Sequence, residues 1–326
     1  MLYQFQFHSY QRPFKCPLQT SHGTWKVREG ILLQLIDQTE QVGRGEIAPL
    51  HWFGSESLEQ ALDFCRQLPH ILTKETIFDI PLTLPACQFG FEMAWEAVVH
   101  GEHQRSGVRG QGSELTEQDS YCALRTPHSV LLQSALLPAG KVALSTWQKL
   151  WEEGYRTFKW KVGVEALEIE LAVLARLAQD LPKTARLRLD ANGGLSMKTA
   201  KAWLAACDLI PIIEYLEQPL PPSQFAQMME LSMWCSTPLA LDESVATLAQ
   251  LQDCHAQGWR GVLVIKPAIA GSPRRLRQFF QAHAIDAVFS SVFETEIGRE
   301  AGLKLAAELG NSDRAMGYGT SHWFRE

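Results

Sequence analysis

The chain has 326 residues, 46% of them hydrophobic, and a formal net charge of -6. That is enough apolar material for one large barrel or two domains. Mild acidity without a long Lys/Arg run excludes an electrostatic nucleic-acid footprint and leaves a small molecule as the expected partner, with no obligate protein partner evident.

No apolar run reaches the roughly 18 residues that cross a bilayer. The opening MLYQFQFHSYQRPF alternates like a strand and lacks the marks of a signal peptide. Seven scattered cysteines without a CxxC pair predict reduced thiols in the cytoplasm. Strand patterns come first, at Tyr3, Phe5 and Phe7, then GILLQLI and a return stretch ending GRGEIAP. Gly43 and Gly45 read as a turn in that hairpin, too short for a nucleotide loop. Helices follow in SLEQALDFCRQLP and CQFGFEMAWEAVVH, so residues 1–115 predict an α+β domain, and the polar HQRSGVRGQGSELTEQD a linker.

From residue 116 to 326 strands and helices alternate. YRTFKWKV precedes ALEIELAVLARLAQDL, RLRLD precedes MKTAKAWLAACDL, and IIEYLEQPL precedes QFAQMMELSMWC. PLALDES then leads to TLAQLQDCHAQG, GVLVIKP to a helix capped by Ser272 with Pro273 at its first position, and DAVFSSVFE to GREAGLKLAAEL. Units of about 25 to 30 residues predict a (β/α) barrel; a doubly wound sheet is disfavoured because no strand ends in a Gly-rich dinucleotide fingerprint. SYCALRT is the expected first barrel strand, and GYGTS after Met316 ends the last.

Barrel chemistry sits at the C-terminal strand ends, and these ends are charged: Lys159 and Lys161, then Asp190, Glu217, Asp242 and Lys266. Each has a plain alternative. The lysines could face water, Asp190 could start a turn, Glu217 could be a loop acid, Asp242 could cap a helix and Lys266 could be solvated. Together, however, three carboxylates converging from consecutive strands need positive charge between them. All-oxygen ligands suit a hard divalent cation, Mg²⁺ with Mn²⁺ as a substitute. Lysines on opposite walls beside it suit proton abstraction next to a carboxylate, because a second ammonium and the cation both disfavour a protonated base.

This layout resembles the muconate lactonizing subgroup of the enolase superfamily, marked by KxK on one barrel strand, metal acids on the next three and a lysine on the sixth. The likeness spans nearly the whole chain, including RPFKCPLQTSHGTWKVREG as part of a capping domain completed by C-terminal residues, with PLQTSHG as its mobile substrate loop. The segments LDES, IKP and SSVFET-EIG, with Arg188 two residues before Asp190, carry a closer likeness to the dehydratases of menaquinone and phylloquinone biosynthesis. The resemblance implies a modified TIM-type barrel in which Asp190, Glu217 and Asp242 hold Mg²⁺ and Lys159 grips the substrate carboxylate. Lys161 would take the α-proton of 2-succinyl-6-hydroxy-2,4-cyclohexadiene-1-carboxylate and return it to the leaving hydroxyl, while Lys266 steadies the developing charge.

Arg188 supports either the ligands or the substrate, or forms an interior salt bridge, and Asn192 either contacts the substrate or makes a plain turn. Ser290 and Ser291 could donate to the succinyl group, Thr20, Ser21 and His22 could close over it, and Glu243 could back the acids. Trp160 should pack against helices. N-acylamino acid racemase is the enzymatic rival and muconate cycloisomerase a weaker one. A dipeptide epimerase is disfavoured because AMGYGTSHW lacks an acidic DxD pair. An inactive barrel acting as a binding protein should have lost at least one of the six charged positions, and none is missing.

Overall fold

A computed structural model of the chain describes residues 1–20, 23–105, 131–320 and 323–324. The N-terminal part is an antiparallel sheet in the order β3-β2-β1-β4, built from β1 (Leu2–Thr20), β2 (Gly23–Ile36), β3 (Val42–Ile47) and β4 (Ile71–Thr73). The register of the long β1–β2 hairpin shifts between Pro13 and Leu18, where Pro13 and Pro17 bring no amide hydrogen to the ladder. Helices α1 (Leu58–Gln67), α2 (Lys74–Phe78) and α3 (Pro85–Arg105) complete this cap. Buried Glu56 closes the start of α3 by accepting from the amides of Ala86 at 3.0 Å and Cys87 at 2.8 Å.

The sheet alternates in the usual way, and one face carries Ile31, Leu33 and Leu35 against α3. Gly43 and Gly45 share that face and lie inside β3, so the turn expected there from sequence is a strand. The reason is close packing. A Cβ at Gly43 would stand 1.9 Å from the Ala94 carbonyl oxygen, and one at Gly45 2.0 Å from that of Gly90.

The second unit holds eight parallel strands in the order β11-β10-β9-β8-β7-β6-β5-β12. They are β5 (Gln133–Leu137), β6 (Thr157–Lys161), β7 (Arg186–Asp190), β8 (Ile213–Glu217), β9 (Leu239–Leu241), β10 (Val262–Ile265), β11 (Ala287–Phe289) and β12 (Met316–Gly319). A parallel bridge between Ser290 and Gly317 joins the ends of this order into a ring. Around it run α4 (Ala143–Glu152), α5 (Leu167–Asp180), α6 (Met197–Cys207), α7 (Phe225–Trp234), α8 (Leu248–Ala256), the short α9 (Pro267–Ala270), α10 (Pro273–Ala282) and α11 (Glu296–Leu309). Ser196, Thr247 and Ser272 cap α6, α8 and α10. Trp160 turns outward onto Trp203 of α6, ring centroids 6.2 Å apart, as its alternation with the lysines predicts.

Among the described residues the first barrel strand is β5; the expected strand SYCALRT and the 115/116 boundary lie outside them. β5 pairs with β6 on one side and β12 on the other, so the ring has no room for a further strand between them. Among the described residues no helix is long and apolar enough to cross a membrane.

The cap's other face meets the barrel through a buried polar cluster. Glu46 accepts from the Tyr10 hydroxyl, from the Thr295 amide at 2.9 Å and from the Gly298 amide at 2.9 Å. Phe324, near the C-terminus, bridges to Phe14 of β1 and stacks on its ring at 4.7 Å. Next to Thr295, burial and then the neighbouring Glu46 push the Glu294 carboxyl up to about 7, and its Oε1 has no hydrogen-bond partner among the described residues.

A carboxyl raised in the folded state keeps its proton after the unfolded chain has lost its own, so its stabilising share fades as pH climbs through that window. The wild-type protein should therefore lose roughly 3 kcal/mol relative to Glu294→Gln between the ordinary carboxyl value of 4.5 and about 7. Urea titrations across that range measure it, and a pH-independent difference would contradict the assignment.

Candidate active site

The barrel register brings the charged strand ends to one place. In β6 and β7, Lys159 stands beside Arg188 and Lys161 beside Asp190; in β7 and β8, Asp190 stands beside Glu217. Side chains in register on neighbouring strands share a face, so both lysines and both acids point into the lumen. Glu217 is level with Ala240 of β9, which places Asp242 just beyond that strand's end. Lys266 follows β10 on the next strand round the ring. The six charged positions read from sequence therefore meet at one mouth of the barrel.

Asp190, Glu217, Asp242 and Lys266 are all buried. Lys159 Nζ donates to Asp190 at 2.8 Å and to Glu217 at 2.7 Å, while Lys266 pairs with Asp242. Lys266 Nζ also lies 4.0 Å from the ring centroid of Phe53, which the cap supplies. Lys161 is half-buried, and its side-chain amine makes no hydrogen bond or ion pair with any described residue.

The charges are out of balance. Burial, and then the charge of Asp190, hold the Glu217 carboxyl well above its ordinary value. Burial pushes Asp190 the same way, yet Lys159 and then Lys161 outweigh it and keep Asp190 low. Burial alone would lower the Lys159 ammonium, but Asp190, Glu217 and Asp242 together carry it well above the usual lysine range. As the side chains stand, no three acidic, histidine or cysteine groups among the described residues close on a single point; ammonium groups lie between the acids.

The donor set nevertheless fits a hard divalent cation. Glu217 Oε2, Glu243 Oε2 and Asn192 Oδ1 are buried and lack hydrogen-bond partners among the described residues, an all-oxygen group with unspent lone pairs. Burial and the adjacent Asp242 raise the Glu243 carboxyl to about 7, a further sign that this corner lacks positive charge.

Several residues hold the acids in place. Gln218, fully buried, accepts from the amides of Asp242 at 3.0 Å and Ser244 at 3.2 Å. Its Nε2 donates to the Leu220 carbonyl and to Ser244 Oγ, both at 2.8 Å. Asn192 donates from Nδ2 to Glu243 at 3.0 Å and from its amide to Asp190 at 3.1 Å. Buried Glu170 of α5 accepts from the amides of Gly163, Val164 and Glu165, which fixes the loop leaving Lys161. Asn192, Gln218 and Phe293 have φ of 44°, 37° and 63°, left-handed values that cost side-chain-bearing residues energy, and all three follow barrel strands. The sequence carries no signal for Gln218, Glu170 or Phe53, because each acts through contacts distant in the chain.

Arg188 lies beneath the site. Its guanidinium is buried and donates to Glu214 at 2.7 and 3.2 Å and to the Ala315 carbonyl at 2.7 Å, the interior salt bridge among the sequence alternatives. Ser291 Oγ donates to Glu294 at 2.9 Å and accepts from the Phe293 amide, so it shapes a turn. Ser290 closes the ring opposite Gly317. Thr20 stands across from Gly23 at the hairpin end, while Ser21 and His22 lie outside the described residues.

The comparisons agree with this architecture. The family described as Enolase C-terminal domain-like matches residues 143–325, and that described as MenC, N-terminal domain, matches residues 2–98. The o-succinylbenzoate synthase of Thermosynechococcus vestitus is 40% identical over 98% of this chain and 93% of its own length. The chain belongs to the o-succinylbenzoate synthase family of the enolase superfamily. Members of this family are lyases, and the chain is one of them. The o-succinylbenzoate synthase of Aliivibrio salmonicida is 27% identical over 93% of this chain and 86% of its own length. The crystal structure of o-succinylbenzoate synthase from Thermosynechococcus elongatus BP-1, complexed with Mg in the active site, superposes with a TM-score of 0.84. Its identity is 39%, over 99% of this chain and 94% of that one. The L-Ala-D/L-Glu epimerase of Bacillus subtilis superposes with a TM-score of 0.77 at 18% identity, over 99% of this chain and 91% of that one, a likeness of fold.

Replacing Arg188 with Met would strip Glu214 of one of its two guanidinium partners, the other being Arg314. Urea melts should show a loss of about 3 kcal/mol, with KM for the substrate unchanged. Unchanged stability with a raised KM would return Arg188 to the substrate-binding role.

Proposed function

We propose that this chain is a Mg²⁺-dependent dehydratase that converts 2-succinyl-6-hydroxy-2,4-cyclohexadiene-1-carboxylate to o-succinylbenzoate, a step in menaquinone or phylloquinone biosynthesis. The supporting observation is that Lys161 faces the lumen with no acid on its amine, whereas Lys159, Arg188 and Lys266 each hold a carboxylate. An amine not already spent on a carboxylate is the one left to meet the substrate's α-proton. Six free cysteines among the described residues suit a cytoplasmic enzyme.

Asp190, Glu217 and Asp242 would hold Mg²⁺, which when bound supplies a Lewis acid for the substrate carboxylate. The neutral amine of Lys161 takes the proton from the ring carbon α to that carboxylate and becomes an ammonium. The electron pair left behind is steadied by Lys266, whose ammonium pairs with Asp242 and lies over the Phe53 ring. The neighbouring C–O bond then breaks, and Lys161 returns its proton to the departing hydroxyl on the same face. Water leaves, Lys161 is again an amine, and the ring is aromatic. Lys159 keeps Asp190 and Glu217 apart and meets the substrate carboxylate.

Purified protein with Mg²⁺ should discharge the cyclohexadiene absorbance. Chelation should stop the reaction reversibly, and Lys161→Ala should slow it by about 10³-fold or more. N-succinyl amino acids in D₂O form the parallel test: α-deuterium uptake without any dehydration would replace this reading with a racemase.

A further inference from the structure

Arg28 of β2 is 98% buried, yet the chemistry above leaves it without a task. Its Nη1 is anchored, donating to the carbonyls of Glu29 at 2.6 Å and Pro49 at 3.0 Å. Its Nε and Nη2 have no hydrogen-bond partner among the described residues. These two nitrogens form the edge of the guanidinium whose parallel N–H groups match the two oxygens of a carboxylate. Leaving such an edge buried and unpaired is costly, and with Nη1 anchored this edge stays without a partner among the described residues.

The surroundings place that edge beside the barrel mouth. Tyr10 pairs with Gly30 and Glu46 with Leu32, so strand alternation puts Arg28 on the sheet face that meets the barrel. Pro49, its anchor, begins the segment that carries Phe53 onto Lys266. On the other side the Arg28 guanidinium lies 5.7 Å from the Trp25 ring, which packs 5.6 Å from Phe293 in the segment leaving β11. Arg28 thus lies between the cap segment that carries Phe53 onto Lys266 and the barrel segment leaving β11.

We infer that the Nε–Nη2 edge of Arg28 receives the second carboxylate of a dicarboxylate substrate, the one at the end remote from the reacting carbon. This rests on the function proposed above and names the residue that makes the cap selective for a charged tail. Arg188 does not compete for that role, since its donors are spent on Glu214 and Ala315.

The test measures binding by calorimetry with Mg²⁺ present. It compares o-succinylbenzoate, a dicarboxylate, with 2-butanoylbenzoate, in which a methyl group replaces the tail carboxylate. Arg28→Gln should weaken the dicarboxylate about 30-fold or more and leave the monocarboxylate within about twofold. Arg28→Lys, which keeps the charge and loses the fork, should fall between, about tenfold weaker for the dicarboxylate, and it carries the test should the glutamine variant fail to fold. Equal weakening of both ligands would reduce Arg28 to holding Pro49 in place and overturn the inference, as would undiminished binding of the dicarboxylate. Wild-type protein that binds neither ligand would overturn the dehydratase reading itself and this inference with it.

Discussion

Three carboxylates brought into one barrel mouth from consecutive strands are the constraint to which the rest of this molecule answers. Asp190, Glu217 and Asp242 are buried, and unscreened like charges at such depth cannot all persist. Two ammonium groups meet part of the demand, Lys159 between the first two acids and Lys266 against the third. The remainder shows in Glu217, whose carboxyl is forced up in spite of Lys159, and in the unpartnered oxygens of Glu217, Glu243 and Asn192. A site so short of positive charge suits a hard cation.

Holding the acids in that arrangement takes scaffold. Gln218 ties the exits of β8 and β9 together, Glu170 anchors the exit of β6, and Arg188 with Glu214 fills the lumen below. The left-handed backbone at Asn192, Gln218 and Phe293 gathers at strand exits, where side chains must be aimed, and is absent from the described strand interiors. The cap completes the site from above, with Phe53 on Lys266 and Glu46 joining Tyr10 to Thr295 and Gly298.

Sequence alone revealed the six charged positions because strand period and barrel geometry are both local rules: alternating Lys159, Trp160 and Lys161 already separates lumen from helix layer. It missed β5, a five-residue strand with no polar alternation to mark it. It read Gly43 and Gly45 as a turn because glycine signals freedom in a sequence, whereas here it signals the closeness of α3. For Arg188 it left the choice between substrate and salt bridge open, since Glu214 and Ala315, which take up its donors, reach it only through the closed ring. Phe53, Glu46 and Arg28 act between cap and barrel, a relation no local pattern encodes.

The most direct test is a calorimetric titration of Mg²⁺ into the wild-type protein and into Glu217→Gln. One ion per chain should bind the wild type, and removing one charge from the trio should weaken that binding at least tenfold. Equal affinity in the two proteins, or no binding to the wild type, would contradict the view that these buried acids exist to hold a cation.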